Sequence, residues 1–186
     1  MEDSENNQQD RRMCKFKSAI VTRTGELYHS ELTDSHTDII DLYGLKEGKS
    51  GQNFVRVEFT PNDFKTIDDP ATYSLKVDED SIPKWFDDDL RADVVKKLSA
   101  LVRQMVVSDE RKILAGGEYI LIDGAKVDRA ILCRIHCMRG GTLTEMRGGT
   151  LTTMCGGTLT EMWGGTLPEK IDKRAIVPEP YKLRQA

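Results

Sequence analysis

Residues 139–170 read RGGTLTEM (139–146), RGGTLTTM (147–154), CGGTLTEM (155–162) and WGGTLPEK (163–170), four consecutive octads with Gly-Gly-Thr-Leu constant and the first position free. Upstream, GGEYILID (116–123) and GAKVDRAI (124–131) are degenerate units of the same kind, followed by a seven-residue stretch, LCRIHCM (132–138). An eight-residue period is too short for a helical repeat, which needs about 33 to 47 residues. The Thr-Leu-Thr core favours an extended chain. Each octad is therefore expected to be a short strand plus a turn, with the glycine pair at the corner between strands. Leu143, Leu151, Leu159 and Leu167, with Met146, Met154 and Met162, recur regularly and form the predicted core stripe. Thr142, Thr150, Thr158 and Thr166 are expected to stack as an outward ladder.

Two arrangements satisfy this pattern. In a β-solenoid, two or three octads close one coil and each coil buries its Leu and Met against the next. In a trimeric triple-stranded β-prism, three chains each supply one strand per octad and the apolar residues meet on the threefold axis. Methionine two residues before a glycine, every eight residues, is similar to the octapeptide pattern of phage cell-puncturing needles, although those usually carry Val there. Pro168 replaces the Thr of the earlier octads and cannot donate to a ladder, so it marks the last octad or an edge. The polar segment 170–186, with Pro178, Pro180 and an isolated Ala175-Ile-Val177, is a tail or a cap.

Amino-terminal to the repeat the pattern changes. Residues 1–14 are polar and expected to be disordered. Ser18–Thr22 and Leu27–His29 around Gly25 read as two strands, and Asn53–Phe59 alternates Val55, Val57 and Phe59 with Phe54, Arg56 and Glu58 as a half-buried strand. Tyr73–Val77 alternates likewise. A short helix, Asp38–Tyr43, is capped by Ser35 or Thr37 and stops at Gly44. A longer one after Pro83, capped by Asp87 or Asp88, carries Leu90, Val94, Leu98, Leu101, Val102 and Met105 on one face. The expected organisation is an α+β domain over 15–115, a β-solenoid over 116–169 and the segment 170–186.

Composition bounds the function. The chain has 186 residues, 38% of them hydrophobic, which is enough for a packed core. No apolar run approaches a membrane span, and the acidic, amide-rich amino terminus is unlike a secretory signal, so cytosolic residence is expected. Twenty-seven basic against thirty-one acidic residues, a net charge of −4, give no footprint for non-specific nucleic-acid binding. Of the four cysteines, Cys133, Cys137 and Cys155 fall within the repeat and Cys14 is isolated, so no disulfide framework is indicated. Cys-x-x-His-Cys at 133–137 is not a usual zinc spacing, and neighbouring strand residues point to opposite faces. No metal site and no cofactor are expected.

The segments KSAIV (17–21), DSHTDII (34–40) and FVRVE (54–58), with the octads that follow, resemble a family of small bacteriophage and prophage proteins in which a compact domain precedes a short-repeat β tail. The resemblance implies a phage setting and residence in the host cytoplasm; it implies no chemistry. This chain departs from the family's usual small residue-Ala-Thr-Val unit in having Gly-Gly-Thr-Leu.

The sharpest polar cluster is Asp34-Ser-His36-Thr-Asp38, in which a carboxylate beside His36 suits a general base; the same residues also serve as a helix start. The variable octad position places Arg139, Arg147, Cys155 and Trp163 on the surface. If two octads make a coil, Arg147 and Trp163 sit one above the other, an exposed cation and aromatic suited to a partner or a base. Phosphate loops, nucleophile elbows and dinucleotide fingerprints are absent. The leading expectation is a non-catalytic phage accessory protein that binds and blocks or sequesters a host macromolecule, defence-related in kind, or a nucleotide. Arg139, Arg147, Trp163 and His36 are its candidate contacts, and homo-oligomerisation is open. The alternatives are a trimeric virion or tail component and a small enzyme using His36 with Asp34 and Asp38.

Overall fold

The computed structural model describes residues 16–47, 53–168 and 171–179, and the chain divides into two compact units, Met1–Leu101 and Val102–Ala186. The expected disorder of 1–14 and the end of the tail, 180–186, lie outside the described residues.

In the first unit, β1 (Lys17–Thr22), β2 (Leu27–Tyr28), β3 (Phe54–Pro61) and β4 (Tyr73–Val77) form one sheet in the order β2-β1-β3-β4. Every neighbouring pair is antiparallel. Gly25, at φ +81°, makes the β1–β2 turn the sequence called for. Strand β3 departs from expectation, because it is buried on both faces: Val55, Val57 and Phe59 on one, Phe54 and Glu58 on the other. The second face is covered by α1 (His36–Tyr43), whose Ile39 packs against Ile20 and Phe54. Of the two predicted caps, Ser35 is the one used. Its hydroxyl accepts from the Asp38 amide, which starts the helix earlier than expected and makes His36 its first residue. Gly44 ends it at φ +61°. The long helix, α2 (Asp88–Met105), begins where the Asp87 carboxylate accepts from the Leu90 amide at 3.0 Å. Val94, Leu98, Val102 and Met105 are buried, as their spacing predicts. Lys97 Nζ and the Arg91 guanidinium tie the helix to the carbonyls of Gly25 and Leu75.

The second unit is a β-solenoid of about four coils. One sheet is built from β6 (Glu110–Ala115), β8 (Lys126–Ile131), β10 (Thr142–Arg147) and β12 (Thr158–Met162); the other from β5 (Val106–Val107), β7 (Glu118–Leu121), β9 (Arg134–Met138) and β11 (Thr150–Leu151). All pairings are parallel, with Thr142 opposite Thr158 and Lys126 opposite Thr142, so two octads close each coil. The octads pair within one chain, where the prism needed three. Coiling begins at Val106, ahead of Gly116. The apparent seven-residue unit is a complete octad too, because Ile131 pairs with Arg147 and occupies its free first position.

Leu143, Met146, Leu151, Met154 and Leu159 are at most 1% exposed and stack into one interior cluster with Val127, Ala130, Ile135 and Met138 of the degenerate octads. The threonines make two ladders, one per sheet, with Thr142 on Thr158 and Thr150 on Thr166. After Pro168 the described chain continues over the last coil in the same parallel sense. Ile171 bridges Met154, Ile176 bridges Thr158, and Val177 is buried in the core cluster, so this stretch caps the solenoid and shields its open edge.

Leu132 stands where the other octads of its corner carry glycine, and it holds φ +52° with its side chain 72% exposed. Left-handed backbone costs a residue with a Cβ about 1–2 kcal/mol. At Gly149, φ +84°, an added Cβ would come within 2.1 Å of the Cys133 carbonyl oxygen. Chemical denaturation should therefore find Leu132→Gly more stable than wild type by up to about 1 kcal/mol, after the entropic cost of glycine, and Gly149→Ala less stable by at least ~2 kcal/mol. A less stable L132G would mean that the packing of Leu132 on Gly148 outweighs the strain.

Candidate functional site

Because each coil consumes two octads, the variable first positions separate into two corners. Arg139 and Cys155 belong to one, where the Arg139 amide donates to the Leu121 carbonyl of the coil below. Arg147 and Trp163 belong to the other and stack in register, joined by the Trp163 amide to the Met146 carbonyl at 2.8 Å. Arg147 and Trp163 are thus brought together and Arg139 is not. His36 lies in the first unit.

Next to Arg147 and Trp163, the outer face of the β6–β8–β10–β12 sheet forms an open depression of about 680 Å³ lined by Asp128, Arg129, Thr144, Glu145, Arg147, Glu161 and Trp163. Its centre is Glu145. The carboxylate accepts from Arg129 Nε at 2.8 Å and from Arg147 Nε at 2.6 Å, and its side chain is only 13% exposed. Glu161 follows Glu145 in the ladder and accepts from the Trp163 indole N–H at 3.3 Å. Two like charges opposite each other disfavour a parallel pair; here both guanidiniums neutralise the first carboxylate and the indole engages the second. Trp163 is 68% exposed, and among the described residues Arg147 forms no hydrogen bond through its Nη atoms. Leu132 adds an exposed apolar side chain at the same corner, its amide donating to the Arg147 carbonyl. The site offers an aromatic face, a leucine and two fixed guanidiniums amid three carboxylates. Single-sequence reading missed Arg129, Glu145 and Glu161. Their sixteen-residue spacing was the available signal, and it becomes informative only once the coil is known to contain two octads.

The His36 imidazole makes its contacts with residues distant in the chain. Its Nε2 lies 3.1 Å from the Val57 carbonyl and its Nδ1 lies 3.5 Å from Asp78 Oδ2. The Asp38 carboxylate instead accepts from the Thr33 hydroxyl at 2.9 Å, and neither Asp34 nor Asp38 makes a hydrogen bond or ion pair with the imidazole. The fold instead groups His36 with Glu58 and Asp78, whose ligand atoms lie within 4.8 Å of one another. Cys133 and His136 do not converge on a metal site. The Cys133 thiol donates to the Leu114 carbonyl, with burial pushing its pKa up, and His136 Nε2 meets the buried Glu118 carboxylate at 3.2 Å, with Arg134 at 3.6 Å.

No family model, curated protein or solved structure matches the chain. Among the described residues no helix is long and apolar enough to cross a membrane.

Hydrogen bonds from Arg147 and then Arg129 hold the Glu145 carboxyl below its ordinary range. A carboxyl with a lowered folded-state pKa adds stability above its unfolded pKa and loses it as the pH falls through the folded one. Glu145→Gln should accordingly melt below wild type at neutral pH, and the gap should close as the buffer is acidified beyond the ordinary carboxylate range. Thermal melts at a series of acidic pH values test this; a gap independent of pH would assign the loss to packing.

Proposed function

We propose that the protein is a non-catalytic phage accessory protein that binds and blocks a host protein through the solenoid corner formed by Leu132, Arg147 and Trp163. The observation that carries the reading is the placement of an exposed tryptophan one coil above, and in register with, a carboxylate-anchored arginine. Tryptophan and arginine are the residues that most often dominate protein–protein binding energy, and rigid side chains lose little entropy on docking. The three carboxylates around two guanidiniums support a partner protein of mixed surface charge over a free nucleotide, whose phosphates would compete with Glu145 for both arginines. The phage setting and the host cytoplasm rest on the sequence resemblance. The same corner serves a sequestering role if the partner is an effector rather than an enzyme.

Wild type immobilised in a lysate of the phage's host should enrich a specific protein that Trp163→Ala and Arg147→Glu release, each substitution weakening binding at least tenfold, a loss of about 1.4 kcal/mol. Equal enrichment by wild type and both variants would overturn the assignment of the corner. Tryptophan quenching by nucleotides, absent from Trp163→Phe, would redirect the proposal to a nucleotide ligand. Light scattering should give no detergent-resistant trimer; such a trimer would favour the virion-component alternative.

A further inference from the structure

From the first unit we infer a binding site for a divalent transition-metal ion of the zinc class, formed by His36, Glu58 and Asp78. Three separate elements deliver the three side chains. His36 is the first residue of α1, placed by the Ser35 cap; Glu58 is central in β3; Asp78 follows β4, held there by its amide to the Arg56 carbonyl at 2.9 Å. Their ligand atoms, one nitrogen and two carboxylate oxygens, all fall within 4.8 Å of one another. A zinc ion bound at about 2.0–2.2 Å by tetrahedral ligands keeps those ligands about 3.3–3.6 Å apart. The His36 Nδ1 to Asp78 Oδ2 distance is already 3.5 Å.

The imidazole is preset for this role. A carbonyl oxygen only accepts, so the 3.1 Å contact to Val57 makes His36 Nε2 the protonated nitrogen. In the neutral ring the lone pair is then on Nδ1, on the side of the two carboxylates. A ligating histidine whose other nitrogen donates to a backbone carbonyl is the usual outer arrangement of protein metal sites.

Glu58 supplies the independent observation. Its residue is only 9% exposed, and among the described residues its carboxylate makes no hydrogen bond or ion pair. A carboxylate largely enclosed by protein and without a protein partner is a favourable place for a cation. The neighbouring cationic side chains do not take that place. Arg56, two residues away on the same face, is held by Glu79 at 2.9 Å and Glu47 at 3.3 Å. Lys76, opposite Glu58 in the register, is exposed and forms no ion pair among the described residues. Two carboxylates and a neutral imidazole match the charge of a divalent ion. The mixed nitrogen and oxygen donors suit a borderline cation of this kind, and three protein ligands leave a coordination position for water. Asp78, with its side chain 50% exposed, opens the site to solvent.

The alternative is a plain ion pair between protonated His36 and Asp78, which predicts no metal binding. The test is calorimetric titration of the full, chelator-treated chain with Zn²⁺, repeated with Co²⁺ as a spectroscopic probe. Wild type should bind one equivalent, and the Co²⁺ spectrum should show ligand-field bands without thiolate charge transfer, which separates this site from the cysteines. Glu58→Gln and Asp78→Asn should each weaken binding by at least ~10-fold. Asp78→Asn, outside the strand and half exposed, decides the matter if Glu58→Gln does not fold, as judged by circular dichroism. No binding by wild type, a thiolate band, or unchanged affinity in the folded variants would overturn the site.

Discussion

At the corners of the Gly-Gly octads, successive coils approach so closely that the backbone beneath leaves no room for a side chain. An added Cβ would come within 2.1 Å of the Cys133 carbonyl at Gly149, and within 2.5 Å of the Ala125 carbonyl at Gly141. This contact is what the rest of the second unit depends on. With parallel strands spaced about 4.8 Å apart, each corner must turn in the space left by the coil beneath it. In the Gly-Gly octads, glycine at the second corner position is consequently a packing requirement beyond the left-handed backbone it also allows, whereas the degenerate octads carry Ala125 and Cys133 at the equivalent position with their side chains in the core.

Fixing the corners fixes the phase of the octad. Leucine and methionine then fall inside, coil after coil, and the first position falls outside, where packing does not dictate its identity. Arginine, cysteine and tryptophan can occupy it in turn, so a rigid scaffold presents variable chemistry at a set spacing. Glu145 adds rigidity at the surface: each guanidinium is anchored through Nε, which restrains two otherwise mobile side chains before any partner arrives. The carboxyl-terminal stretch completes the structure by covering the last coil, without which the open strand edge would pair with other chains.

The first unit follows a different logic. Its sheet is covered on both faces, so β3 carries Glu58 into a buried position where alternation alone suggested a solvent-facing one. The helix cap at Ser35 then positions His36 beside that carboxylate. A reading along the chain groups His36 with Asp34 and Asp38 because they are adjacent. The fold groups it with Glu58 and Asp78 because hydrogen bonds across the sheet bring distant residues together.

Much of the architecture was legible in the sequence by itself. The octad period, the four strands of the first sheet, the Ser35 and Gly44 helix ends and the apolar face of α2 are all local or periodic features, and local backbone preference and side-chain periodicity determine them. The tertiary structure alone decided that two octads close a coil, that coiling starts at Val106, that residues 171–177 form the cap, and which charges meet at Glu145 and Glu58. Period sets the repeat but not the closure, because the number of strands per coil depends on how the interior leucines and methionines fill the space between two facing sheets. Charge partners likewise depend on register between strands far apart in the chain, a quantity that no single segment encodes.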